Sequence, residues 1–247
     1  MISVCIATYN GEKYIKEEIE SILPQLGCED EIIVSDDGST DTTLEIIRGF
    51  NDPRIKIVSH NKEKALYKFD YTTHNFENAL SYAKGDYIFL ADQDDVWLPD
   101  KVNVTLEALR NSDIAISDCV VVDKNLKEIK PSRFTKSRPS VKISNNILSC
   151  NNPGCCIAFR RCVLNTVLPF PKAGVAHDLW IAVYGAIFHN VEFIDKPLIL
   201  FRRHDGNVSE SMGKSTASLS YKLSYRLKIM NALLRRARLM RFIRNFR

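Results

Sequence analysis

The chain has 247 residues, 45% hydrophobic and 26% charged, enough to bury one substantial core and too many for a peptide-scale module. Its formal charge of +4 conceals an asymmetry: residues 1–213 carry a net −6, while residues 214–247, with no acidic residue after Glu210, carry +10. An acidic body without a recognised reader motif excludes nucleic acid as the expected partner, and no apolar stretch longer than residues 181–188 approaches the ~20 residues of a transmembrane helix.

The chain opens Met1-Ile2-Ser3-Val4-Cys5-Ile6, without a basic leader and directly into a strand pattern, so no signal peptide is expected and the protein is placed in the cytoplasm. Runs rich in β-branched residues predict strands at 3–7, 31–35, 55–59 and 87–91. Segments of helical spacing separate them; in the first, Tyr14, Ile15, Glu18, Ile19, Ile22 and Leu23 recur three to four apart. This alternation predicts an α/β fold with a mostly parallel central sheet flanked by helices. In such sheets ligands bind beyond the carboxyl ends of the strands. Three of the runs end in polar residues: Thr8-Tyr9-Asn10, Asp36-Asp37-Gly38-Ser39 and Asp92-Gln93-Asp94-Asp95.

The downstream half is less regular, with strands expected at 114–117, 156–159 and 198–202, a helix at 178–188 and a mobile Lys/Ser/Pro-rich loop at 130–142. Seven cysteines, an odd number with no C-x-x-C pair and an adjacent Cys155-Cys156, read as small buried hydrophobes rather than a disulfide framework or zinc site.

Three carboxylates in Asp92-Gln93-Asp94-Asp95 repel one another at a strand end, and a divalent cation turns that cost into binding. Hard oxygen ligands suit Mg²⁺ or Mn²⁺, with open positions for a diphosphate. The alternative is an acidic cap on the next helix, a place that Pro99 and Asp100 also fit. Asp36-Asp37-Gly38-Ser39-Thr40-Asp41 has the composition of a turn, with Ser39 or Asp41 capping a helix from residue 42, and a carboxylate there is also suited to accept bonds from a pyrimidine or ribose. The Gly-rich phosphate loops of a nucleotidyltransferase or dinucleotide-binding dehydrogenase are absent: residues 7–15 contain only Gly11.

Together, Ser3-Val4-Cys5-Ile6-Ala7-Thr8-Tyr9-Asn10, Ile33-Val34-Ser35-Asp36-Asp37-Gly38-Ser39-Thr40-Asp41 and Gly85-Asp86-Tyr87-Ile88-Phe89-Leu90-Ala91-Asp92-Gln93-Asp94-Asp95 closely resemble the family 2 glycosyltransferases, over roughly residues 1–205. Asp92 to Trp97, His177-Asp178-Leu179-Trp180 and the run from Phe201 to Val208 resemble the bacterial rhamnosyltransferase-like branch. The resemblance implies a GT-A-type catalytic domain over 1–213, with a nucleotide-binding half at 1–95 and an acceptor-binding half at 96–213. It implies an inverting, metal-dependent transferase that moves a sugar from a UDP- or dTDP-linked donor to a glycan or lipid-linked glycan in bacterial surface polysaccharide synthesis. A catalytically silent scaffold of the same fold is the second reading, and the joint presence of Asp37, Asp92, Asp94 and Asp178 argues against it.

By the same resemblance, Ala7 and Tyr9 line the nucleotide base, Asp37 binds the pyrimidine, and Asp92 sits near the ribose and the metal. Asp94 is the main ligand of Mn²⁺ or Mg²⁺, with His204 near the metal or diphosphate. Thr8, Asn10 and Asn75 join the donor site by neighbourhood. Asp178 is the general base. His177, standing where the family commonly has Glu, either contacts the acceptor or helps start the helix. Trp180 either stacks on the acceptor sugar or is core, and Gly154 either permits close backbone approach in the sugar pocket or only makes a turn.

Residues 214–247 form a basic tail, in which Leu223, Leu227, Met230, Leu234 and Ala237 keep helical spacing before Leu239, Phe242, Ile243 and Phe246 drift off the stripe. Such a helix either lies on an anionic membrane, making the protein peripheral on the inner face of the plasma membrane, or docks on the catalytic domain.

Overall fold

A computed structural model of the chain describes residues 1–60, 67–135, 153–172, 174–205 and 219–244. The strands are β1 (Ile2–Thr8), β2 (Glu31–Asp36), β3 (Ile55–Ser59), β4 (Tyr87–Asp92), β5 (Val96–Trp97), β6 (Ile114–Asp123), β7 (Glu128–Lys130), β8 (Ile157–Arg160) and β9 (Val191–Arg203). The helices are α1 (Ile15–Ile22), α2 (Thr43–Gly49), α3 (Lys68–Tyr82), α4 (Lys101–Asn111), α5 (Arg161–Val167), α6 (His177–Phe188) and α7 (Leu219–Arg244). One sheet runs β3-β2-β1-β4-β8-β6-β9-β5, with β7 paired to β6.

The first four strands are parallel, and their register sets the site. Thr8 lies beside Asp36, and Ala7 lies between Ser35 and Asp92, so three polar strand ends emerge side by side. Every residue of β2 is buried, the mark of a strand covered on both faces, whereas the edge strand β3 is partly open. Ile15, Ile19 and Ile22, spaced by four and three, turn one face of α1 fully into the core. On α3, Asn75 and Asn78 reach the sheet instead: Asn75 Nδ2 donates to Thr8 O at 3.1 Å and Asn78 Nδ2 to Ser35 Oγ at 2.8 Å.

Downstream, β8 enters antiparallel to β4 and β6, while β6 and β9 pair in parallel. Two strands exceed expectation. β6 continues beyond residue 117 through Asp118, whose buried carboxylate accepts the amides of Cys119, Arg133 and Phe134 at 2.8–3.0 Å. β9 starts at Val191 and carries Pro197 through a register shift opposite Asp118. Of the loop expected at 130–142, residues 136–142 lie outside the described residues, as do Gly206, Asn207 and Val208.

The tail helix α7 docks on the body with one face. Ile229 and Leu233 are buried, Tyr225 Oη accepts Ala176 N at 3.1 Å, and Lys228 Nζ donates to Tyr67 Oη at 2.9 Å. Arg236 donates to the carbonyls of Thr166, Leu168 and Pro169 and lies over the Trp180 ring. The stripe read from the sequence is on the other face: Leu223, Leu227, Met230 and Leu234 are 45–61% exposed. No helix among the described residues is long and apolar enough to cross a membrane.

Candidate active site

The carboxyl ends of β1, β2 and β4 are tied into one rim. Thr8 Oγ1 donates to Gln93 Oε1 at 2.7 Å, Tyr9 N donates to the same oxygen at 2.9 Å, and Gln93 Nε2 returns a bond to Tyr9 O at 3.2 Å. Asp37 N donates to Thr8 O at 3.0 Å. Asn10, at φ 49°, accepts Thr40 N on its side chain at 2.8 Å and donates its own amide to Ser39 Oγ at 2.9 Å, joining the first loop to the second. Asp36 folds the Gly38 turn by accepting the amides of Gly38 and Ser39. Asp41 accepts Thr43 N at 3.0 Å from one residue before the cap position, which belongs to Thr42, and Ser39 serves the turn, so neither expected residue is the N-cap.

Asp37 is buried, and its Oδ1 lies 2.8 Å from Nδ1 of His60, which follows β3. No motif in the sequence marked His60; its only signal was its position directly after a strand of the parallel sheet. Tyr9, which follows β1, is 45% exposed.

The acidic motif stands apart from the next helix. β5 intervenes, and Asp100, at the start of α4, has a φ of 69° and makes no side-chain cap bond. The capping alternative for these acids is therefore not realised. Asp94 Oδ2 meets His204 Nε2 at 2.7 Å, and the His204 ring leans on Tyr14. Asp95 points inward, with Oδ1 accepting Arg202 N at 2.9 Å. Arg202, within the run from Phe201 to Val208, also donates to Asp94 O at 2.7 Å, Lys124 O at 3.0 Å and Glu17 Oε2 at 2.5 Å, and so locks the motif to α1 and β9.

Electrostatics tests whether a cation fits. Burial raises the Asp92 carboxyl to about 8, and the neighbouring charges of Asp94 and then Asp178 push the same way. Beneath them, Asp95 and the fully buried Glu18 are raised well above the usual carboxylate range by burial and by Asp94 and Asp92. Neither carboxylate oxygen of Glu18 has a hydrogen-bond partner among the described residues, and the opposing cations acting on Glu18 are Lys101 and Arg202. Acidic groups in excess at a half-buried strand end, with a histidine beside them, form an oxygen-rich donor set that suits a hard divalent cation. A separate grouping, Asp113, Cys162 and His189, lies at the opposite end of the sheet, where residue 114 is level with residue 88.

Asp178 sits in the first turn of α6, half-buried, with Oδ1 accepting the adjacent Leu179 N at 2.7 Å. The cap position belongs to Ala176, so Asp178 is not the N-cap. Its charge is among those that raise the carboxyl of Asp92, the last residue of β4.

Other expected contacts change. Trp180 is fully buried, packed on Tyr184 with its indole N–H donating to Val167 O at 3.1 Å; it is core and has no face for a sugar. His177 is 8% exposed and lies on Phe76 at a ring-centroid distance of 4.3 Å, its amide donating to Thr73 Oγ1 at 3.2 Å; it belongs to the packing of the helix start, not to an exposed acceptor surface. Gly154 makes a tight turn before β8, and a Cβ there would lie 2.6 Å from His177 Nε2, so the close approach it permits is that of His177. Thr8 and Asn75, 1% and 3% exposed, hold the rim from behind and do not face a donor. Ala7, Tyr9, Asn10, Asp37, Asp92, Asp94, Asp178 and His204 remain on or beside the rim.

The chain has relatives in sequence and in fold. The chain is 27% identical over 240 residues to an uncharacterized glycosyltransferase of Nostoc sp., covering 93% of this chain and 73% of that protein. It is 27% identical over 238 residues to dTDP-rhamnosyl transferase RfbG of Shigella flexneri, covering 90% and 77%. In structure it resembles S. aureus TarS 1–349 in complex with UDP-GlcNAc, with a TM-score of 0.68 at 20% identity over 94% of this chain and 67% of that one. It also resembles mannosyltransferase PcManGT of Pyrobaculum calidifontis in complex with GDP-Man and Mn²⁺, with a TM-score of 0.55 at 19% identity over 97% and 64%. The fold is of the GT-A type, α/β with a mostly parallel sheet. Residues 3–168 match the family as a whole, and the chain belongs to glycosyl transferase family 2.

Proposed function

We propose that the chain is a metal-dependent inverting glycosyltransferase that moves a sugar from a UDP- or dTDP-linked donor to a glycan, lipid-linked in the bacterial setting, during surface polysaccharide synthesis at the inner face of the plasma membrane. The observation that carries this reading is the Asp94–His204 pair, Oδ2 to Nε2 at 2.7 Å, next to the half-buried Asp92, whose carboxyl the charges of both Asp94 and Asp178 raise. Similarity to a dTDP-rhamnosyl transferase supports rhamnose as the sugar.

In this reading residues 1–95 hold the nucleotide and residues 96–213 the acceptor. Tyr9 stacks on the base, Ala7 lines it, and Asp37, steadied by His60, accepts from the pyrimidine. Asn10 keeps the first loop closed on the second. Asp94, Asp92 and His204 would hold Mn²⁺ or Mg²⁺, which supplies positive charge to the diphosphate when bound. Asp178 takes the proton of the acceptor hydroxyl as that oxygen bonds to the anomeric carbon. The bond from that carbon to the diphosphate breaks on the opposite face, the nucleoside diphosphate carries the electron pair away, and the configuration inverts.

Donor binding with Mn²⁺ and glycosyl transfer, measured separately, test the division of labour. Asp94→Asn should abolish metal-dependent donor affinity, whereas Asp178→Asn should bind donor like the parent and lose transfer by roughly 10²–10⁴-fold. Equal loss of donor binding in both variants refutes the assigned roles. No metal-dependent turnover in the parent would favour a scaffold.

A further inference from the structure

Helix α7 has two apolar faces, and the body covers only one of them. Ile229, Leu233 and Tyr225 face the body, together with the aliphatic stem and guanidinium of Arg236. At ~100° per residue, Leu223, Leu227, Met230 and Leu234 fall within a narrow stripe on the other side of the helix. They are 60%, 61%, 45% and 54% exposed. The same geometry places Arg226 at one margin of the stripe and Arg235 and Arg238 along the other; the last two are exposed. Single exposed leucines are ordinary on a protein surface, but four large apolar side chains aligned along about three turns form a binding face.

Charge selects what binds there. Residues 211–247 contain no acidic residue, while residues 1–213 carry a net −6. An anionic plane therefore repels the body and attracts this helix, which gives the approach a single orientation. Apolar side chains between cationic margins match a lipid surface, since Lys and Arg stems extend along the apolar layer and keep their charges among headgroups. The cations bar the helix from spanning the bilayer and favour its lying flat.

We propose that the outer face of α7, Leu223, Leu227, Met230 and Leu234 with their Arg margins, rests on an anionic lipid surface and thereby sets the orientation of the catalytic domain. The inner face of the same helix transmits that orientation to the site. Tyr225 Oη accepts the amide of Ala176, the cap residue of α6, and Asp178 lies in the first turn of α6. Lys228 reaches Tyr67, at the start of α3, the helix that pins Thr8. The value of this orientation to catalysis rests on the acceptor being lipid-linked, but lipid binding itself does not.

Co-sedimentation of the full chain with phosphatidylcholine vesicles, with and without 30% phosphatidylglycerol, measures the contact directly. Binding to the anionic vesicles should exceed binding to the neutral ones at least tenfold and weaken as salt rises. Leu223→Gln/Leu227→Gln/Leu234→Gln should lower binding to anionic vesicles about tenfold or more, and Arg235→Gln/Arg238→Gln should lower it less and flatten its salt dependence. Thermal unfolding and donor binding should match the parent in both variants, because the altered side chains lie away from the docked face. Parent binding that ignores lipid charge, or a leucine variant that binds like the parent, overturns the proposal. So does a concentration-dependent dimer abolished by the leucine substitutions, which would make the stripe a contact between copies. Vesicle binding without transfer to any acceptor would leave the lipid surface standing and refute the proposed activity.

Discussion

The donor rim and the start of α6 bring carboxylates to the same place by opposite means. On the rim, three loops leave neighbouring parallel strands, so residues contiguous in sequence stay together in space and bond loop to loop through Gln93, Asn10 and Ser39. At α6 the turn of the helix separates neighbours: Asp178 is half-buried beside Asp92, while His177 enters the packing against Phe76 and Trp180 enters the core. A motif at strand ends can therefore be read as a block, whereas a motif in a helix must be read one residue at a time.

The sharpest way to break this comparison is to alter the two ends of one helical turn. Trp180→Ala should cost about 3–5 kcal/mol of stability, measured by denaturant unfolding, because it empties a closed site and leaves the Val167 carbonyl unpaired. Asp178→Asn should leave the unfolding midpoint close to the parent's and change transfer alone. A Trp180→Ala protein with normal stability and a raised acceptor KM would restore the sugar-stacking role.

A smaller effect is expected at Gly154. Gly154→Ala drives a methyl into His177 Nε2 and should cost about 1–3 kcal/mol. Adding His177→Ala should recover part of that loss, so the double variant is less destabilised than the two single losses together predict. Simple additivity would mean that the two residues do not meet.

The smallest effect concerns pH. Burial lowers the affinity of His177 for a proton, outweighing the opposing pull of Asp178, so the fold holds it neutral while the unfolded chain protonates near its ordinary value. The unfolded state then binds more protons, and stability, fully present above about pH 6.5, declines as pH falls below that value. His177→Gln should flatten this part of the stability profile between about pH 7 and 5; an unchanged slope would assign it to other groups.

Much of the fold was legible because β-branched runs bounded by polar turns leave few alternatives. The first four strands fall within a residue of their expected limits. Of the later strands β6 and β9 were read too short, since a buried Asp118 and a Pro197 interrupt the pattern that marks a strand, and only partners distant in sequence satisfy the one and a register shift accommodates the other. In the candidate site, Asp37, Asp92, Asp94 and Asp178 were singled out from motif and strand-end position, and Gln93 and Arg202 lay inside quoted motifs, but the contacts that Gln93, Arg202, His60 and Glu18 make were not legible. These residues act through contacts that local spacing does not encode: Arg202 joins Glu17, Lys124 and the acidic motif at once.

The tail divides the same way. Periodicity alone determined that residues 223–237 carry an apolar stripe amid positive charge, because helical geometry fixes which side chains share a face. Only the tertiary structure decided that this stripe faces outward and that Tyr225, Ile229, Leu233 and Arg236 hold the helix to the body. Which of two faces is covered depends on the shape and free hydrogen-bonding groups of the surface it meets, and that surface is assembled from residues far away in the chain.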